Sequence, residues 1–187
     1  MSEPLAPGSV IGILGGGQLG RMLSVAASRW GFKSCIYEPG GDCPASHVAN
    51  YHFQKPYEDE IALRAFAEAV DVITYEFENI PTAALDVIET VRPVRPSRRA
   101  LQVSQDRLTE KTFLSNLGLK TAPFAAVSDA KSLSDALRKV GTPSILKTRR
   151  FGYDGKGQVR ITSAGDAAQA LEAMAGQSAI LEGVVAF

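Results

Sequence analysis

The stretch Leu146 to Gln158, LKTRRFGYDGKGQ, has the residue types of an anion clamp. Gly152, Gly155 and Gly157 sit among Lys147, Arg149, Arg150 and Lys156, with Asp154 the only acid. Glycine lets backbone N–H groups crowd round an anion, and lysine and arginine supply the charge. Two readings follow from these residues: a mobile clamp for polyphosphate, or a tight hairpin turn whose charges are solvated. Lys147 adds information, because it follows Ile145 and Leu146 at the end of an apolar run. Such a lysine buries its stem and aims its ammonium at a partner.

Three further groups can carry chemistry. Gly15-Gly16-Gly17-Gln18-Leu19-Gly20 matches G-x-G-x-x-G, after an apolar run and before a helical pattern. There the helix N-terminus favours an anion, and Glu38 lies where a dinucleotide fold puts its ribose-binding acid. A nicotinamide oxidoreductase is therefore one reading; other phosphate loops, or a plain tight turn, are the rest. Tyr75-Glu76-Phe77-Glu78-Asn79 follows another apolar run, where open α/β sheets place ligands. In an extended chain Glu76 and Glu78 share a face and either bind a sugar or cationic ring or end the strand in solvent. Arg107 falls one residue into a helix, an end that repels a cation unless an anion bridges it. A surface arginine beside Asp106 or Glu110 is the alternative.

These residues need a scaffold, and 187 residues suffice for one or two domains. Twenty basic residues balance twenty acidic ones, so no net field draws the chain to nucleic acid or membrane. The chain has no apolar run of bilayer-spanning length and no signal pattern at its start. Cys35 and Cys43 lack the spacing of a disulfide framework or zinc site and read as reduced thiols of a cytoplasmic protein. His47 and His52 read as loop residues.

Strands are expected at Val10 to Leu14, Lys33 to Tyr37 and Val72 to Tyr75. The intervening helices are one from Leu19, stopped by Gly31, and one over about Glu58 to Val70. On the first helix Leu19, Met22, Leu23, Ala26, Ala27 and Trp30 follow helical spacing. This alternation predicts an open parallel sheet with helices on both faces. Pro93 and Pro96 make Val91 to Ser97 a hinge or connection. Beyond it, Asp106 caps a helix ending at Gly118. A strand near Phe124 to Val127 follows, then a helix with Ala130, Leu133, Ala136, Leu137 and Val140 on one face. Strands at Ser144 to Thr148 and Gln158 to Thr162, a helix over about Asp166 to Ala175 and a strand at Ala179 to Glu182 complete the pattern. Phe187 comes soon after that strand, which reads as a cut.

GGGQLGRM at Gly15 to Met22, YEFENI at Tyr75 to Ile80, QDRLTEK at Gln105 to Lys111 and K-x4-GYDGKGQ from Lys147 together resemble the ATP-grasp superfamily. Within it, they are similar to the carboxyaminoimidazole ribonucleotide synthases, and the resemblance runs from about Val10 to Phe187. It implies a Rossmann-like pre-ATP-grasp domain over 1–100. The small α+β lid subdomain of an ATP-grasp would follow over 101–187, with its C-terminal part missing. The implied reaction joins aminoimidazole ribonucleotide, bicarbonate and ATP through carboxyphosphate, in a homodimer that uses magnesium. Another ATP-grasp carboxylase or ligase is the alternative nearest to it.

By position, the resemblance implies that Arg107 and Lys147 contact the nucleotide phosphates. Gly152, Tyr153, Asp154, Gly155, Lys156, Gly157 and Gln158 form the flap that closes over them. Glu182, Gly183, Val184 and Val185 read the adenine. Tyr153 and Asp154 reach the bicarbonate and imidazole side as catalytic groups, and Gln18, Leu19 and Glu76 face the ribonucleotide. No metal ligand is expected among these residues; the family's magnesium ligands belong to a further domain. The chain alone is therefore expected not to turn over.

Overall fold

The computed structural model describes residues 4–152 and 155–186, so Tyr153 and Asp154 lie outside the described residues. The chain divides into two compact units, Met1–Gln102 and Val103–Phe187.

The first unit is built on a parallel sheet. Its strands are β1 (Val10–Leu14), β2 (Lys33–Tyr37), β3 (Tyr51–Phe53) and β4 (Val72–Tyr75), in the order β3-β2-β1-β4. The order places β1 centrally, and the run Ile13-Leu14 is fully buried because helices cover both faces. On one face α2 (Glu60–Glu68) and α3 (Thr82–Ile88) supply Leu63, Phe66, Leu85 and Ile88 to a core with Leu14, Tyr37 and Ile73. On the other, Ile13 and Ile36 pack with Ala45, and α1 (Gln18–Arg29) lies against β2. Asp59 caps α2 by accepting from the Ala62 N–H at 2.9 Å.

The structure corrects the sequence reading in several places here. Strand β3 is a fourth, three-residue strand, too short for a period of two to register, and it places His52 in the sheet rather than in a loop. Helix α3 was also not predicted; it opens after Pro81 at a boundary without a side-chain cap. Of the six apolar positions expected on α1 only Ala27 is buried, beside Gly20 and Ser24, while Leu19, Met22, Leu23, Ala26 and Trp30 are exposed. Small residues let the helix approach closely, so the contact is made by the side that carries little apolar surface. Val91 to Ser97 is not a free connection, since Val94 is buried and bridges Ile73 in parallel fashion. The Arg95 N–H donates to the Ile73 carbonyl at 2.8 Å, extending the ladder beyond β4. Helix α4 (Arg98–Ser104) follows and buries Leu101 in the same core.

The second unit is an antiparallel sheet with helices. Helix α5 (Arg107–Asn116) opens it, followed by β5 (Phe124–Val127), α6 (Ala130–Val140), β6 (Ser144–Thr148) and β7 (Gln158–Ile161). Helix α7 (Ala167–Ala173) and β8 (Ala179–Gly183) complete it, and the strand order is β5-β8-β6-β7. Leu133 and Ala136 of α6 and Ala170 of α7 pack on Leu146, Ile161 and Leu181. Asp129 starts α6 with a reciprocal capping box to Ser132.

Candidate active site

In the first unit the site begins where β1 ends in glycine. Gly15 takes a φ of +99°, open to glycine at little cost, and its N–H donates to the Tyr37 carbonyl at 3.0 Å. The amides that follow are held by the protein's own carboxylates. Gly16 N–H donates to Glu38 Oε2 at 3.0 Å, and Gly17 N–H donates to Glu76 Oε1 at 2.7 Å. Gly20 N–H donates to Glu76 Oε2. Glu76 thus supplies the negative charge that the N-terminus of α1 favours, a role its N-cap Gly17 cannot fill.

This explains the glycine pattern differently from a pyrophosphate loop. A Cβ on Gly15 would come within 2.5 Å of Glu76 Cγ, and one on Gly17 within 2.6 Å of Glu76 Oε1. The backbone approaches a glutamate that the chain carries itself. A dinucleotide's pyrophosphate would have to displace both carboxylates. Gln18 and Leu19 stand exposed at the start of the helix this loop opens.

Strand β4 ends at Tyr75, and Glu76 to Asn79 bend and turn, so Glu76 and Glu78 do not share an extended face. Glu76 turns into the glycine loop, while Glu78 is 3.4 Å from its neighbour Asn79 Nδ2. Tyr57, not singled out in the sequence, stands beside this group and donates its hydroxyl to the Tyr37 carbonyl at 3.2 Å. Burial raises its phenol pKa, and the charges of Glu38 and Glu76 push it further the same way.

In the second unit the stretch from Lys147 to Gln158 is a hairpin at its base: Lys147 pairs with Gln158, and Thr148 N–H donates to the Gly157 carbonyl at 2.8 Å. A Cβ on Gly157 would lie 2.6 Å from Thr148 Oγ1, and its φ is +67°. Glycine is required there for the returning strand to lie over Thr148.

Arg107 does not pair with Asp106 or Glu110. Its Nη2 donates to the Gly152 carbonyl at 2.6 Å, and its N–H donates to the Arg149 carbonyl at 3.0 Å. Asp106 instead caps α5, accepting from Leu108 and Thr109 N–H at 3.0 Å each, and takes Arg149 Nη2 on Oδ2 at 2.8 Å. Burial alone would raise its pKa; the Thr109 amide and Arg149 outweigh that and hold it below the usual carboxylate range.

Lys147 does aim at a partner: its Nζ donates to Glu182 Oε2 at 2.8 Å. Glu182 is buried, 8% exposed, so the pair sits where charge is weakly screened. Lys111, which the sequence reading left without a role, reaches the same oxygen at 3.8 Å and lies 5.6 Å from the centre of the Phe124 ring. Its signal was present: Lys111 is four residues after Arg107 on α5, hence on the same helical face. Further along β8, Gly183 N–H donates to the Pro123 carbonyl at 2.9 Å and Val184 N–H to the Pro143 carbonyl at 3.2 Å.

Among the described residues no group of three or more His, Cys, Asp or Glu side chains could hold a metal ion. The first unit offers oriented amides held by Glu38 and Glu76, and the second offers the cations Arg107, Lys111 and Lys147 with the carboxylate of Glu182.

Comparison with known proteins places these features. Residues 9–105 match the model of the ribonucleotide synthetase preATP-grasp domain, and residues 112–187 match that of the ATP-grasp domain. The chain is 52% identical over 98% of its length to an N5-carboxyaminoimidazole ribonucleotide synthase of Brucella melitensis, of which it spans 51%. Among solved structures it resembles the ADP complex of an N5-carboxyaminoimidazole ribonucleotide synthetase at a TM-score of 0.92 and 38% identity. That match covers 100% of this chain and 50% of the other. It also resembles the Aspergillus clavatus N5-carboxyaminoimidazole synthase in complex with ADP and 5-aminoimidazole ribonucleotide, at a TM-score of 0.84 and 27% identity, covering 97% of this chain and 48% of that one. The chain spans about half the length of these relatives. It belongs to the ribonucleotide synthetase preATP-grasp family, with an ATP-grasp match following that domain.

Proposed function

We propose that this chain provides the acceptor-binding domain and nucleotide lid of an enzyme that carboxylates 5-aminoimidazole ribonucleotide. Bicarbonate and ATP are consumed, and N5-carboxyaminoimidazole ribonucleotide, ADP and phosphate are formed, as a step of purine biosynthesis. The observation that carries the reading is the set of cations at the base of the glycine-rich hairpin. Arg107 holds the Gly152 carbonyl, while Lys147 and Lys111 share the single buried carboxylate of Glu182. Among the described residues these cations outnumber the carboxylate they share; a polyphosphate supplies further negative charge, and phosphoryl transfer depends on such positioned charge more than on covalent help. The Brucella relative and the nucleotide complexes of the similar structures support the same assignment.

In this reading an oxygen of bicarbonate attacks the γ-phosphorus, the bond to ADP breaks, and carboxyphosphate forms. Carboxyphosphate releases carbon dioxide and phosphate, and the imidazole amine attacks the carbon dioxide and loses a proton. Lys147 and Arg107 bind the phosphates, and the segment from Gly152 to Gln158 closes over them and excludes water, which would hydrolyse the intermediate. Tyr153 and Asp154, which are outside the described residues, serve the acceptor side by family resemblance. Glu182 to Val185 meet the adenine; with the Gly183 and Val184 N–H groups engaged by proline carbonyls, base contacts fall to the carbonyls and to Val185. Gln18, Leu19 and Glu76 face the ribonucleotide.

The reading includes magnesium, a homodimer and a cytoplasmic location, each from family resemblance. No group of three or more His, Cys, Asp or Glu that could hold magnesium is present among the described residues. Among the described residues no helix is long and apolar enough to cross a membrane. We also propose that these 187 residues alone do not turn over, because the relatives that carry the named activity are about twice as long. The test is product analysis with isotopically labelled bicarbonate, using the gene's full product with ATP and aminoimidazole ribonucleotide. Label in the ring-amine carbamate supports the proposal. ATP hydrolysis without labelled product, or label in another acceptor, rejects it.

A further inference from the structure

Glu38 ends up at the position where a dinucleotide fold keeps its ribose-binding acid, yet both of its carboxylate oxygens are engaged by backbone. Oε2 accepts from Gly16 N–H at 3.0 Å and Oε1 from Gly40 N–H at 3.1 Å. Its main chain is fixed as well: its N–H donates to the Phe53 carbonyl at 3.1 Å, and its carbonyl lies 3.1 Å from His52 Nε2. One residue thus joins the glycine loop after β1, the turn after β2 and the edge strand β3.

Packing seats the loop from a second side. A Cβ on Gly16 would meet Cys43 Sγ at 2.4 Å and Glu38 Cγ at 2.6 Å, so the Gly16 backbone lies directly against both. Ala45 N–H donates to the Gly16 carbonyl at 2.9 Å, closing the contact from the segment after the turn. The loop that presents Gln18 and Leu19 is therefore suspended between two carboxylates, Glu38 at Gly16 and Glu76 at Gly17 and Gly20.

We infer that Glu38 is a positioning residue for the acceptor side of the reaction. It fixes the height of the glycine loop, and through it the start of α1. This inference rests on the proposed reading that Gln18, Leu19 and Glu76 face the ribonucleotide. A carboxylate has acceptors for both amides, whereas a carboxamide in its place has one acceptor oxygen and an NH2 that faces a donor. Glu38→Gln therefore releases Gly16 or Gly40 while keeping side-chain volume. Small misplacements of a binding element are costly to reaction geometry.

Two measurements test it. In the gene's full product, Glu38→Gln raises KM for aminoimidazole ribonucleotide about tenfold, the change that about 1.4 kcal/mol produces. KM for ATP stays within about twofold and kcat changes less than the acceptor KM. Glu38→Asp, which keeps two acceptors, restores part of the loss. Equal rises in both KM values, or none, overturn the inference. In the 187-residue chain, amide hydrogen exchange at Gly16 or Gly40 speeds up in Glu38→Gln while Gly17, held by Glu76, keeps its protection. Unchanged exchange at both glycines also overturns it. Absence of carboxylation by the wild-type product rejects the functional reading separately, and the exchange measurement still decides whether Glu38 clamps the loop.

Discussion

Replacing Asp106 by alanine is expected to destabilise the second unit by about 2–3 kcal/mol. Two losses combine. The side chain caps α5 through the Leu108 and Thr109 amides, and removing such a cap costs about 0.5–2 kcal/mol. It also holds Arg149 by Nε at 3.1 Å and by Nη2 at 2.8 Å. Hydrogen bonds to charged groups contribute about 1.5–3 kcal/mol each in favourable cases. The Arg149 side chain is 30% exposed and Asp106 17%, so solvent screening puts this pair near the low end. The losses share one side chain and are not additive, hence the total. For a domain of roughly 60–100 residues each kcal/mol lowers Tm by about 4–8 °C, so a fall of about 10–20 °C is expected. Asp106→Asn keeps an oxygen for the cap and loses the charge, and should fall between.

The pH dependence follows from the lowered pKa of Asp106. Its contribution is complete above the unfolded value of about 3.9 and is lost as pH falls through the lower folded value. The gap between wild type and Asp106→Asn should therefore be constant near neutrality and close in acid below about pH 4. Urea unfolding followed by amide resonances of α5 and β6 reads both effects. An Asp106→Ala variant within about 0.5 kcal/mol of wild type, the range of ordinary surface substitutions, would refute the reasoning.

In the gene's full product Lys147→Ala should weaken ATP binding by about 1.5–3 kcal/mol, as measured by calorimetry; unchanged affinity would take Lys147 off the phosphates. Asp154→Asn should lower turnover while ATP affinity is nearly kept, and unchanged turnover would remove Asp154 from the mechanism. Cys35 is buried in β2, which pushes its thiol up to about 12, and Cys43 is buried beside Gly16. A thiol reagent at neutral pH should label neither in the native chain and both in denaturant; rapid native labelling of Cys35 would contradict the burial.

Local features were legible in the sequence because their causes are local. The strands at Val10, Lys33, Val72 and Ser144 are legible in residue type, Asp106 announces α5 as a cap, and the apolar face from Ala130 to Val140 announces α6. The spacing of GGGQLGRM, YEFENI and GYDGKGQ pointed to the family by resemblance. The sequence thus determined the class of fold, most of the elements other than β3, α3 and α4, and which stretches carry charge beside glycine.

Partnership was decided by tertiary structure. Glu76 reaches Gly17 across 59 residues, and Glu182 reaches Lys147 across 35. Such pairs depend on which strands lie side by side, and no spacing rule encodes that. The G-x-G-x-x-G pattern shows that something approaches the backbone closely, but only the sheet order brings β4 beside β1 and makes that something Glu76. Likewise, periodicity finds apolar positions on α1 without saying what covers them, and of these only Ala27 is buried, with Gly20 and Ser24. At the base of the hairpin Gly157 is needed for Thr148 and the returning strand, while Lys147 is held by a carboxylate at the end of β8. The residue types fix what chemistry is available; strand order and burial fix which charges meet, because a buried charge takes the partner that the fold places within reach.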